Sequence, residues 1–194
     1  SSMDENQARS LCGEIDALKA TISLRSGTSR DAIVLLENAV GALDPHHSYV
    51  RGYAMMLLAN AYQVNGQKDD AVTLLSNAVL DTPTDTQLQL RLRSALGLVH
   101  YLEADLDNAR MASTRYNEIS HGRAEADGMN WGEYRLACVS YFRNDLSVAA
   151  RSFGACTDRP RAVHTMTTTN VAIGLAMTYQ AQGRSDEARE IAER

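Results

Sequence analysis

Histidines, cysteines and paired carboxylates are the side chains of this sequence that could ligate a metal, attack an electrophile or move a proton. Adjacent residues on a helix point about 100° apart, so His46 and His47, which follow Pro45 at a helix start, do not form a chelating pair. No His-x-x-x-His spacing or cysteine-rich partner accompanies them or His100. Cys12, Cys138 and Cys156 are an odd number without CxxC spacing, and they read as small apolar side chains of a reducing compartment. Asp69-Asp70 and Asp186-Glu187 open helices, where carboxylates meet exposed backbone amides. Catalysis would need a nucleophile beside a base, or two sheltered carboxylates with separated pKa values, and neither is visible. The expectation is a protein that is not an enzyme, with no metal and no cofactor.

Composition narrows the class further. With 44% apolar and 22% charged residues the chain is that of a folded globular protein, and three prolines and two phenylalanines amid abundant Ala, Leu, Arg and Glu favour helix over strand. A formal charge of −5 argues against direct nucleic-acid contact, which needs clustered Lys and Arg. No apolar run approaches the roughly 20 residues of a membrane span, and no basic region followed by an apolar one marks a signal peptide. The expected location is the cytoplasm, with no membrane partner.

A repeat organises the elements. Small residues after polar turns recur at Ala32, Ala71, Ala109, Ala149 and Ala188, at intervals of 39, 38, 40 and 39 residues. The turns are Gly27–Asp31, Gly66–Asp70, Ala104–Asn108, Asn144–Val148 and Gly183–Glu187, with Gly suited to a left-handed helix end and Ser or Asp to capping the next helix. Twelve residues before each alanine stands another small residue, at Ala20, Ala59, Gly97, Ala137 and Ala176, so two antiparallel helices can approach closely. Tyr62, His100 and Tyr179 lie nine residues before the alanine, and Leu36, Leu75 and Phe153 four after it. The spacing predicts helices over about 4–25, 30–43, 46–65, 68–81, 84–103, 106–120, 127–143, 146–157, 161–182 and 185–193, with Pro45, Pro83 and Pro160 between hairpins. His121 to Gly128 is a linker candidate, yet residues 1–194 read as a single repeat domain.

Ala59, Tyr62, Ala71, Leu75, Ala78 and Pro83 carry a pattern that resembles the tetratricopeptide repeat, here four to six residues longer than the usual unit of about 34. The resemblance implies an all-α, right-handed superhelical solenoid of about five hairpins, with the first helix of each lining a concave groove. Residues Trp131–Leu146, Asp158-Arg159, His164 and Gly174–Arg184 look more specifically like the helical-repeat sensor region of the large ATP-binding LuxR-like (MalT-type) transcription regulators. This likeness covers about residues 125–194 and implies an inducer-sensing segment between an NTPase module and a DNA-binding module, neither of which has its motifs here.

Carrying the family register over residue by residue places Tyr53, Met56, Asn60 and Gln63 in the groove, then Arg91, Ser94, Leu98 and Tyr101. Trp131, Tyr134, Arg135, Cys138 and Tyr141 follow, and then Asn170, Ile173, Met177 and Gln180. Aromatic side chains supply contact area, and Arg can pair with a carboxylate, so the lining suits a small inducer or a peptide or protein partner. The alternative is that the same aromatics pack between hairpins. Two functional readings stand beside each other: an inducer- or partner-responsive sensor that relays to flanking domains of its own full-length chain, and a constitutive protein-interaction scaffold. The chain stops inside an expected helix, leaving Ala188, Ile191 and Ala192 with an apolar face, from which a longer parent protein and a possible homodimer through an uncapped end are expected.

Overall fold

A computed structural model describes residues 5–83, 87–120, 131–157 and 165–193. The described residues form ten α-helices: α1 Glu5–Arg25, α2 Ser29–Ala42, α3 Ser48–Val64, α4 Lys68–Asp81, α5 Gln87–Leu102, α6 Leu106–Ser120, α7 Trp131–Phe142, α8 Leu146–Thr157, α9 Thr165–Ala181 and α10 Ser185–Ala192. The fold is an all-α solenoid of tetratricopeptide-like hairpins. The chain divides into two compact units, Ser1–Val99 and His100–Arg194. Pro160, Asp158, Arg159, His164 and the segment from His121 to Gly128 lie outside the described residues.

Five helix ends are built alike. Gly27, Gly66, Ala104, Asn144 and Gly183, each five residues before the repeat alanine, all have positive φ, from 57° to 80°. The amide of the next residue reaches back five positions in every case: Thr28 to Ser23, Gln67 to Tyr62, Asp105 to His100, Asp145 to Ser140 and Arg184 to Tyr179, at 2.8 to 2.9 Å. The positive-φ residue itself donates three positions back, so both orphan carbonyls of a Schellman end are satisfied. The carbonyl of the same following residue then accepts the repeat alanine's amide at 2.9 to 3.2 Å and starts the second helix.

Side-chain capping of these starts differs from expectation. Thr28, Gln67 and Arg184 occupy the cap positions and make no side-chain cap hydrogen bond. Asp105 does cap, its Oδ1 accepting the Asn108 amide at 3.3 Å. Helix α3 begins two residues later than predicted, because Asp44 captures the amides of His46 through Oδ1 and of His47 through its carbonyl. Both histidines therefore precede the helix.

In the first unit, one core gathers Ala17 and Ala20 of α1, Ala32, Leu36 and Ala39 of α2, and Ala54, Leu58 and Ala61 of α3. A second gathers Met55 and Ala59 of α3, Ala71, Leu75 and Ala78 of α4, and Leu92, Ala95 and Val99 of α5. Ala20, Ala32, Ala59 and Ala71 are wholly buried, and the space they leave is taken by Leu36 and Leu75. Each buried leucine contributes about 1.5–3 kcal/mol of transfer free energy, while the alanines set the helix spacing. The second unit repeats this with Ala137 of α7, Ala149 and Phe153 of α8, and Val171 and Leu175 of α9. At its last helix Ala188 is buried and Ile191 packs against this core, which corrects the expectation that both lie uncovered; Ala192 is exposed.

Among the described residues no helix is long and apolar enough to cross a membrane, and no group of three His, Cys, Asp or Glu side chains could hold a metal ion.

Candidate functional site

Helix α7 presents two different buried faces. Gly132, Ala137 and Val139 turn inward, and Gly132 allows an approach to α6 so close that a Cβ would lie 2.0 Å from Asn117 Oδ1. Asn117 Nδ2 donates to Glu133 Oε2 at 3.2 Å across the same junction. With that face pinned, residues 131, 134, 135, 138 and 141–142 come round at helical spacing to a second face.

That second face forms one wall of a pocket of about 170 Å3. Tyr134, Cys138, Tyr141 and Phe142 of α7 line it together with Tyr101 at the end of α5, Phe153 of α8, and Asn170, Ile173, Gly174 and Met177 of α9. The rings meet edge to face: Tyr101 with Phe142 at 5.8 Å between centroids, Tyr141 with Phe142 at 5.6 Å, and Tyr134 with Phe153 at 6.0 Å. Trp131 lies one layer out, 6.3 Å from Tyr134. Tyr141 and Met177 also border a broad, shallow trough of about 760 Å3 that runs on past Gln180 to Ala188 and Arg189.

The polar groups converge at the base of this wall. Tyr134 and Tyr101 both hydrogen-bond with the Cys138 side chain. Burial and then Cys138 push the Tyr101 hydroxyl up to about 12, and the same causes raise Tyr134 further. Burial also pushes the Cys138 thiol up, opposed by Tyr134, Arg135 and Tyr101. Arg135 is only 5% exposed, and among the described residues its Nη1 has no hydrogen-bond partner. Burial lowers its guanidinium to about 10, partly offset by Cys138, Tyr134, Tyr101 and Tyr116. Among the described residues no carboxylate forms an ion pair with it.

Of the groove residues expected from sequence, Tyr101, Tyr134, Tyr141 and Met177 thus share one pocket, with Arg135 behind and Trp131 beside it. Tyr53, Asn60 and Arg91 belong to the first unit and line no part of a cleft there of about 440 Å3, which is formed by other residues, among them His46, Arg51, Met55 and Asp81. Arg91 is occupied over the Tyr49 ring, 4.2 Å from its centroid, while Tyr53 and Asn60 are partly buried in α3. Phe142, Phe153 and Gly174 were not singled out as groove residues. The signal for the last two was the spacing that sets a large residue four after Ala149 opposite a glycine of the next helix.

Residues 23–96 and 170–194 each match the tetratricopeptide repeat family. No curated protein matches the chain in sequence. Among solved structures, a Podosopora anserina protein described as a kinesin light chain with nearly identical TPR-like repeats is similar over 92% of this chain and 90% of its own, with 22% identity and a TM-score of 0.69. BtubC (BKLC) from P. vanneervenii is similar over 90% of this chain and 74% of its own, with 16% identity and a TM-score of 0.71. MamA is similar over 94% and 88%, with 17% identity and a TM-score of 0.56. At these identities the likeness is one of fold: an array of tetratricopeptide-like helical repeats.

Proposed function

We propose that this array of tetratricopeptide-like hairpins is a binding and signal-receiving module, and that the pocket between α5, α7, α8 and α9 is where it receives the signal. The observation that carries the reading is the pocket itself, where the aromatic side chains of successive hairpins, packed edge to face, still leave one concavity between them. A ligand seated there touches three helices of the second unit and changes the free energy of their packing, which is what a sensor requires. Most of its lining falls in the stretch that resembles the LuxR-like, MalT-type regulators, and we propose that setting for the module: an inducer-responsive segment that relays to NTPase and DNA-binding domains of its own longer chain. It acts as a cytoplasmic binding segment and leaves DNA contact to other domains.

A second reading, a constitutive protein-interaction scaffold, draws on the trough beside the pocket. At about 760 Å3 and shallow, it suits an extended or helical segment of a partner better than an enclosed small molecule.

The test is a thermal-shift and Trp131-fluorescence screen of the chain against sugars, fatty acids and aromatic acids, repeated with Met177→Trp. Met177 is 49% exposed and borders both concavities, so the larger side chain fills them without entering the core. A stabilising ligand lost in Met177→Trp supports the sensor. No ligand, together with a partner segment that still depends on Met177, supports the scaffold, and binding indifferent to Met177 removes both readings from this site.

A further inference from the structure

Among the described residues, Arg135 is a cation without a carboxylate counter-ion. It is only 5% exposed, its Nη1 has no hydrogen-bond partner among the described residues, and the groups that act on its charge are phenols and a thiol. A buried charge in that state is costly, and proteins ordinarily pair it. The polar groups between Arg135 and the pocket are also poorly matched among themselves. Tyr101 and Tyr134 both have the Cys138 thiol as their hydrogen-bond partner, and a thiol is a weak donor and a weak acceptor. Two phenol hydroxyls thus belong to a concavity otherwise lined mainly by apolar groups, Phe142, Phe153, Ile173 and Met177 with Tyr141 and Asn170 beside them, and the Arg135 charge acts on both phenols from behind the lining.

From this arrangement we infer that the pocket takes a small monocarboxylic acid with a benzene-sized apolar body, its carboxylate accepting from the Tyr101 and Tyr134 hydroxyls beside the Arg135 guanidinium. The inference rests on the receptor role of the pocket and names its ligand class. A carboxylate has about four acceptor positions where the thiol offers a weak one, and hydrogen bonds to an ionised acceptor are roughly twice as strong as neutral ones. Size agrees with the charge: the pocket holds about 170 Å3, and an apolar cavity of about 150 Å3 accommodates benzene. A disaccharide or a nucleotide is too large. An acyl chain or ring of six to eight carbons fits, with the aromatic edges around it.

The experiment uses three probes of one size on the full chain: benzoate, benzamide and benzyl alcohol, titrated by calorimetry and by Trp131 fluorescence. Benzoate is expected to bind, and the two neutral probes to bind about tenfold more weakly or worse, the loss of one charge-assisted hydrogen-bond set. Arg135→Met should abolish that preference. Because a change at a buried residue can disturb folding, Tyr101→Phe, at the partly exposed margin, provides the second variant, expected to weaken benzoate about tenfold and leave benzyl alcohol unchanged. Equal binding of benzoate and benzyl alcohol overturns the carboxylate assignment while leaving a receptor pocket in place. No binding by any of the three overturns both.

Discussion

Phe153 occupies the space that a side chain at Gly174 would need: a Cβ built there would lie 2.5 Å from both Cε1 and Cζ of the ring. This contact joins α8 to α9, and both residues line the pocket.

Gly174→Ala should therefore destabilise the protein despite alanine's better helix propensity. The ring is 2% exposed and cannot swing away. Overpacking costs about 1–3 kcal/mol, against a gain of up to about 1 kcal/mol from removing a helical glycine. Gly154, also in α8, meets nothing within 4 Å, so Gly154→Ala should stabilise by about 0.5–1 kcal/mol. Chemical denaturation of the two variants checks the opposite signs.

Ala104 stands at φ 57° where three other repeats have glycine. A left-handed alanine costs about 1–2 kcal/mol, so Ala104→Gly should raise Tm by about 2–4 °C for each kcal/mol recovered. Asn144, at φ 62°, tolerates that conformation, and Asn144→Gly should change Tm little. Equal gains at both sites would mean that side-chain identity does not govern these helix ends.

Two half-buried tyrosines make the fold sensitive to alkali. Tyr62, raised to about 12 by burial and by its hydrogen bond to Glu37, and Tyr101, raised to about 12 by burial and Cys138, hold their protons more tightly folded than at the ordinary value of 10. Their contribution is fully present below pH 10 and is lost as pH climbs through 12. A Tm profile across that interval should fall, less steeply in Tyr101→Phe and Tyr62→Phe.

Thiol labelling of the native protein should follow burial and thiol pKa together. Cys12 is exposed and should react first, Cys156 next, and Cys138, buried with its thiol pushed up, last. Mass spectrometry of a time course reads the order. Labelling of Cys138 as fast as Cys12 would show that the pocket floor opens readily.

Ala149→Leu tests the helix register. Ala149 is wholly buried at the α7–α8 contact, and the larger side chain should cost about 1–3 kcal/mol. An unchanged melt would mean that the two helices do not cross there.

Helix positions were legible in the sequence because each hairpin carries two independent marks, a small residue at the crossing and a polar turn five residues ahead of the second alanine. Where both occur the predicted and observed ends coincide, as in α4 and α6, or differ by one residue, as in α2. The face of α7 that lines the pocket was legible as a stripe from Trp131 to Tyr141. What could not be read was depth. Spacing places Arg135 and Arg91 on equivalent faces, yet one is buried with its Nη1 unpartnered among the described residues and the other lies over Tyr49, because neighbouring helices decide which face is covered. Charge pairing between distant residues is likewise absent from periodicity: nothing local marks Tyr62 as a donor to Glu37, 25 residues away. The cap chemistry was misjudged for a related reason, since the backbone carbonyl that follows each left-handed residue already starts the next helix.

The sameness of the five helix ends bears on ancestry. Each presents the same backbone hydrogen bonds to the helix before and the helix after, whatever residue stands at the left-handed position. A segment of 38 to 40 residues that begins and ends at equivalent points can be copied or lost during evolution without inventing a new joint. Faces that take no part in the joint are then left free to vary, and in α7 one of them carries the aromatic stripe from Trp131 to Tyr141.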